Sequence, residues 1–318
     1  MNSHTPLPHF VSFGEALTDM LRTGANTWNS VAGGAPWNVA QFMARFGIAS
    51  AFGGTISQDC FGDQLWQASS DAGLDLRFLQ RNTRSPLLAI VHATQPPAYF
   101  FVGDDSADLY FDVEALPQGW EAEVRWAHFG GISLTRTTLA ERLVVLAEGL
   151  RARGIKISYD PNFRSVMDSA YDPILARMVA IADLVKVSEE DVCGLFRTPD
   201  ADAALLRLRV MRPAATVLYT QGSQGATLYA QGQAWHVTPP SITVVDTVGA
   251  GDCSLAGFLS SALQQPDAGW DLHLRAAVAA GAGACLAAGA TPPSERILAC
   301  LMEQVHIQST TSTKPTVP

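Results

Sequence analysis

Residues 244–258 read VVDTVGAGDCSLAGF, two β-branched apolar residues followed by a Gly-rich bend and then a helical pattern. A helix N-terminus carries unpaired N–H donors and a partial positive charge, and Gly249 and Gly251 allow a ligand to approach the backbone closely. The bend is therefore suited to an oxyanion or a phosphate. Asp252 falls in the first turn of that helix, where a carboxylate in isolation is simply a charge that suits the helix dipole. Its surroundings must decide between that reading and a chemical one.

Outward from this bend, short apolar runs alternate with helical patterns: HFVSFGE, a helix over 38–46, ASAFGGTI, a helix over 63–72, WAHFGGI, a helix over 139–153, IKISYD, DLVKVS and ATVLYT. Such β-α alternation predicts a mostly parallel, doubly wound sheet with helices on both faces. Between 86 and 111 the pattern changes to two β-rich pieces around a Pro-Pro turn with no helix between them. They predict an antiparallel excursion pairing with 15–31. The stretch TVLYTQGSQGATLYAQGQAWHV predicts three strands joined by Gly turns, and the polar tail from Gln308 reads as disordered. Core segments 1–14, 32–85 and 112–307 would then enclose a small β lid made of 15–31 and 86–111.

The 318 residues are enough for one large α/β domain, and 21 basic against 30 acidic side chains give a net charge of −9 with no basic run. Nucleic acid and anionic membranes are poor partners for such a surface. Five scattered cysteines fit neither a disulfide framework nor a zinc knuckle. The opening MNSHTPLPHF lacks a charged segment followed by an apolar one, and the apolar stretch 276–290 is too short and too rich in small residues to span a bilayer. A soluble cytoplasmic protein is expected.

Ligands of open α/β sheets bind beyond the carboxyl ends of the strands, where several stretches should meet. Gly33 and Gly34 open GGAPWNVAQFMARFG with Asn38 in the first helical turn, and SYDPNFR (158–164) ends a strand in Asp160, a proline, Asn162 and Arg164. Turn chemistry accounts for Asp-Pro-Asn but not for the arginine. No G-x-x-x-x-G-K-[ST] is present, so a Walker P-loop does not hold phosphates here.

In this order FGEALTDM (13–20), GGAPWNVA (33–40), GTISQDCFGDQL (54–65), HFGGISL (128–134), SYDPNFR, VKVSEEDV (185–192), DTVGAGDCSLAGF and AAVAAGAGACLAAGA (276–290) resemble the PfkB family of carbohydrate kinases, and most of all its fructokinases. The resemblance covers nearly the whole chain. It implies a ribokinase-like three-layer α-β-α sandwich, a mostly parallel sheet plus a small β lid. It also implies ATP-dependent transfer of a phosphoryl group to a sugar hydroxyl, with Asp252 as general base and the N–H groups of Gly249, Ala250 and Gly251 as an anion hole. Asp19, Gly33, Gly34 and Asn38 would grip the sugar, with Phe101 and Arg164 beside it. Thr220, Gly222 and Gly225 of TQGSQGATLY would meet the nucleotide, as would Ser188.

Mg2+ would be organised by Asp191 or Glu189, since Ser188 and Asp191 stand where the family's Asn-x-x-Glu element has Asn and Glu. A monovalent cation, K+, would use Asp246 and nearby backbone carbonyls. No arginine occurs in YFFVGDDSADLYF of the lid, which favours a neutral hexose, fructose first, over an acidic or phosphorylated sugar. Ribose, ketodeoxygluconate and nucleosides are the other substrates this family pattern admits. A homodimer through the lid is expected, because related sugar kinases pair through this sheet. Two rivals remain at this level: a sugar- or nucleotide-binding protein that has lost catalysis, and a Rossmann oxidoreductase. Retention of Asp252 opposes the first, and the failed G-x-G-x-x-G spacing opposes the second.

Overall fold

The computed structural model describes residues 6–94 and 97–312. Its strands are β1 (Phe10–Phe13), β2 (Leu17–Arg22), β3 (Trp28–Gly33), β4 (Ser50–Ser57), β5 (Leu79–Asn82), β6 (Leu88–Thr94), β7 (Pro97–Val102), β8 (Trp126–Gly130), β9 (Lys156–Asp160), β10 (Leu184–Ser188), β11 (Thr216–Thr220), β12 (Ala226–Ala230), β13 (Gln233–Thr238) and β14 (His306–Ser312). The helices are α1 (Ala35–Arg45), α2 (Cys60–Asp71), α3 (Thr137–Ala152), α4 (Asp172–Ile181), α5 (Glu189–Phe196), α6 (Ala201–Met211), α7 (Ala250–Gln264), α8 (Trp270–Ala284) and α9 (Glu295–Gln304).

Ten strands form one sheet in the order β14-β13-β12-β11-β10-β9-β8-β1-β4-β5. From β5 to β11 every neighbour is parallel, and β12, β13 and β14 are added antiparallel. Strands buried on both faces read as apolar runs, as the fully buried β1 and β4 do. One face packs Ile157, Tyr159, Val185 and Val187 against α3 to α6. The other packs Phe10, Leu184 and Leu218 against α1, α7 and α8. This is the ribokinase-like three-layer sandwich with a second, smaller sheet.

That smaller sheet has the order β3-β2-β6-β7, with β2 and β6 parallel and both outer pairs antiparallel. The turn between β6 and β7, including Pro96 of the Pro-Pro pair, lies outside the described residues. Residues 103–111 leave this sheet and return to the core, where Ala107 and Phe111 are buried and Asp108 pairs with Arg136 at 3.2 Å. The tail corrects its expectation. Residues 306–312 form β14 on the free edge of β13, because an open strand edge offers backbone partners that a Thr- and Ser-rich segment readily takes. Residues 313–318 lie outside the described residues. Among the described residues no helix is long and apolar enough to cross a membrane.

Candidate active site

Gly249 takes a left-handed conformation (φ 75°) as the N-cap of α7, and no side chain caps that helix. A Cβ on Gly249 would stand 2.8 Å from the Ala290 methyl, so packing and φ both require glycine there. The N–H of Ala250 turns back to Thr247 O at 3.2 Å. Within the first turn of α7, Asp252 is buried, and its Oδ2 accepts a 2.9 Å hydrogen bond from Asn38 Nδ2. The partner helix α1 is seated on the sheet by Ser12, whose hydroxyl donates to Pro36 O at 2.6 Å. Burial pushes the Asp252 carboxyl up, opposed by the Asn38 hydrogen bond and the positive charges of Lys186 and Arg164. Asn38 and Asp252 thus meet at the open N-terminus of a helix, beyond the carboxyl ends of parallel strands.

Beneath them lies a charged floor of Asp160, Lys186 and Asp191, of which sequence reading gave a role to Asp191 alone. Side chains alternate along β9 and β10, so Asp160 and Lys186 point to the α7 face, opposite Tyr159, Val185 and Val187. Lys186 Nζ lies 3.0 Å from Asp160 Oδ2 and 3.9 Å from Asp191 Oδ2. Both oxygens of Asp191 are in use: Oδ1 accepts from Phe163 N at 2.8 Å, and Oδ2 from Ser188 N at 2.6 Å. Ser188 completes a capping box by accepting from Asp191 N. Asp191 therefore fastens the start of α5 to the turn that carries Arg164. The signal in the sequence was a single lysine inside the apolar run LVKVS, beside an aspartate in the neighbouring SYDP.

Arg164 connects this floor to the smaller sheet. Its Nη1 donates to Asn162 O, Asn162 Oδ1 and Phe163 O, closing a turn in which Asn162 has φ 47° and Asn162 N donates to Asp160 Oδ1. Asn tolerates that conformation better than most residues. The guanidinium carbon lies 5.9 Å from the Tyr99 ring centroid. Asp19 on β2 is raised to about 6 by burial, and the charge of Arg164 opposes that rise. Gly33 backs Asp19 so closely that a Cβ would come 2.4 Å from Oδ2. Asp19, Gly33, Asn38 and Arg164 therefore border one region, with Tyr99 as a wall that sequence reading missed. Phe101 packs edge-to-face on Tyr99 and against Leu17, Leu87, Ala89 and Ile132 at the root of the small sheet.

That root is latched by Glu15, another residue without an assigned role. Its buried carboxylate accepts from Ile132 N at 3.2 Å, Ser133 N at 3.0 Å and Ser133 Oγ at 2.7 Å, and burial raises it to about 7. Gly34 has φ 115° and lies where a Cβ would meet Glu15 O at 2.5 Å.

Thr220 ends β11 beside Ser188 of β10, and Gly222 and Gly225 follow in the β11–β12 hairpin. Gly222 and Gly225 have φ 56° and 100°, and Gln221 N donates to Gly225 O at 2.8 Å. Asp246 joins two loops, accepting from Val248 N at 3.1 Å and Gly289 N at 2.8 Å. Val244, Val245 and Val248 beside it are exposed. Glu189 is exposed, and its charge acts on Tyr219 and Cys193. Among the described residues no three His, Cys, Asp or Glu side chains are grouped to hold a metal ion.

A buried carboxylate facing a helix N-terminus without a side-chain cap, at the rim of a parallel sheet, is an arrangement suited to binding an anionic group beside a proton acceptor. The family model "pfkB family carbohydrate kinase" matches residues 8–297. Fructokinase of Klebsiella pneumoniae is 30% identical over 255 residues, covering 78% of this chain and 82% of its own. Aminoimidazole riboside kinase of Salmonella typhimurium is 31% identical over 284 residues, 87% of this chain and 88% of its own. The crystal structure of fructokinase with bound ATP from Xylella fastidiosa superposes with a TM-score of 0.83 at 30% identity, covering 94% of this chain and 99% of that one. The chain belongs to the PfkB family of carbohydrate kinases, and its activity is ATP-dependent phosphorylation of a sugar.

Proposed function

We propose that the acceptor is a neutral hexose, fructose first, and that Asp252 is the base. The observation that carries the neutral-sugar reading is that the charge of Arg164 acts on the buried Asp19 carboxyl, so the cation bordering the sugar region has a carboxylate nearby to balance it. Together with Asn38 these groups offer donors and acceptors to several hydroxyls without a surplus positive charge for an acidic substrate. Fructokinases among the relatives support the same reading.

In the reaction, the acceptor oxygen bonds to the γ-phosphorus as the bond from that phosphorus to the bridging oxygen breaks. The leaving electron pair stays on ADP, and the hydroxyl proton passes to Asp252. The N-terminus of α7, through Gly249, Ala250 and Gly251, stabilises the charge on the transferring group. Thr220, Gly222 and Gly225 border the nucleotide, with Val244, Val245 and Val248 as an apolar wall for its base. The donor set suits a Mg2+ that arrives on the nucleotide and keeps much of its water, since Asp191 has both oxygens occupied and no acidic cage exists among the described residues. Ser188 and Glu189 would receive that water shell, with Asp191 holding the start of their helix, and the ion would neutralise phosphate oxygens. K+ would sit by Asp246, which holds the loop leading into α7. The small sheet acts as a lid, and its outer face, with exposed Trp28, Phe100 and Val102, pairs two subunits. Free cysteines and the demand for ATP fit a cytoplasmic enzyme.

A second reading is favoured by one relative, the aminoimidazole riboside kinase, and by Tyr99 and Phe101, on which a base could stack. Measuring kcat/KM for fructose, ribose, tagatose, ketodeoxygluconate, adenosine and aminoimidazole riboside decides between them. Fructose should lead. A riboside in first place overturns the hexose reading, and an acidic sugar in first place overturns the charge argument.

A further inference from the structure

We propose that Lys186 is a positioning residue for phosphoryl transfer: its ammonium, fixed by Asp160 beneath Gly251, supplies the positive charge on which the anion hole and Asp252 rest. This rests on the reading of Asp252 as the base. Two independent observations carry it. The first is a charge imbalance: Asp160, Asp191 and Asp252 are all buried, and Lys186 is the ammonium among them, so without it an anionic phosphoryl group would arrive over three carboxylates. The second is the fit to Gly251. That residue lies within α7 and shows no left-handed backbone, so its conformation does not call for glycine. A Cβ there would instead stand 3.0 Å from Lys186 Nζ, closer than such atoms normally come. The missing side chain makes room for the ammonium directly under the helix start.

The groups facing Asp252 are Asn38 from α1, Lys186 from β10, Arg164 from the turn after β9, Asp160 from β9 and Asp191 from α5. Lys186 and Arg164 favour the ionised base, while Asp160 and Asp191 oppose it. Lys186 is thereby distinguished from a plain counter-ion of Asp160, which would matter to folding alone.

Kinetics of Asp160→Asn, of Lys186→Met/Asp160→Asn, and of each with Gly251→Ala make the test, with folding followed by circular dichroism. The double change removes ammonium and partner charge together, so no charge of the pair is left unmatched. Expected are a several-fold loss of kcat in Asp160→Asn, whose amide oxygen can still accept from the ammonium, and a kcat about 100-fold below wild type in the double variant with sugar KM within threefold. Relative to Asp160→Asn, the acid limb of the double variant's kcat/KM profile should also shift to higher pH. Gly251→Ala should cost roughly tenfold in kcat beside Lys186 and under twofold in the double variant. Wild-type turnover in the double variant, or an equal cost of Gly251→Ala in both backgrounds, overturns the proposal. Full activity of Asp252→Ala, measured alongside, would instead overturn the underlying assignment of the base.

Discussion

Asn38 Nδ2 donates to Asp252 Oδ2 at 2.9 Å, joining the first turn of α1 to the first turn of α7 across 214 residues of sequence. Neither helix start has a side-chain cap of its own. The bond therefore locks two open helix ends at one point, and in the proposed role of Asp252 its other carboxylate oxygen would meet the acceptor. Asp252→Ala should fold normally and lose roughly 10²–10⁴ of turnover, the usual worth of a positioned base. Steady-state kinetics beside a thermal melt checks this, and near-normal turnover would reduce Asp252 to a dipole charge.

Because the Asn38 hydrogen bond is what most strongly opposes the upward push of burial on Asp252, Asn38→Leu should move the acid limb of the kcat/KM profile to higher pH. A profile that keeps its limb while kcat falls would show that Asn38 serves geometry alone.

Glu15 gives a stability prediction with a definite sign. Burial raises its carboxyl from 4.5 to about 7, so the folded protein holds this proton more tightly than the unfolded chain does. Its contribution is complete below about pH 4.5 and falls as pH rises towards 7. The stability advantage of wild type over Glu15→Gln should shrink across that window by on the order of 3 kcal/mol. Urea titrations at several pH values measure it, and a pH-independent difference would contradict the assignment.

At the β11–β12 hairpin, proposed to border the nucleotide, Gly225 has φ 100°, and a Cβ there would clash with Val237 O. Gly225→Ala should destabilise the fold by roughly 1–3 kcal/mol and raise the KM for ATP more than that for sugar. An unchanged ATP KM would separate this hairpin from the nucleotide.

If the small sheet closes over the sugar, fructose should slow hydrogen exchange in β6 and β7 more than in β12 and β13. Sedimentation should report a dimer that Phe100→Asp weakens, since Phe100 is exposed on the outer face. Unchanged exchange with a substrate that is turned over removes the lid, and a strict monomer removes the pairing.

The parallel core was legible because strands buried on both faces are written as apolar runs separated by helical periods. The helix start at 249–252 was legible because glycines beside a lone aspartate are chemically unusual. Lys186 was not singled out, since a lysine in a strand means something only once the neighbouring strand sets Asp160 opposite it, and that register is a tertiary fact. Glu15 escaped for the same reason: its partners Ile132 and Ser133 lie more than a hundred positions away. The tail misled because composition speaks of average tendencies, whereas β14 depends on a particular open edge at β13. Asp191 was read as a candidate for the metal, and only coordinates reveal how its oxygens are occupied.

The alternation along β9 and β10 divides labour within single strands. Odd-numbered residues Ile157, Tyr159, Val185 and Val187 sustain the packing against α3 to α6, while even-numbered Ser158, Asp160 and Lys186 carry polar groups on the other face. Cohesion and reactivity are interleaved at a spacing of one residue, yet they look out on different helix layers. A scaffold wired this way can have its polar face rewritten by substitution while the opposite layer keeps its original packing.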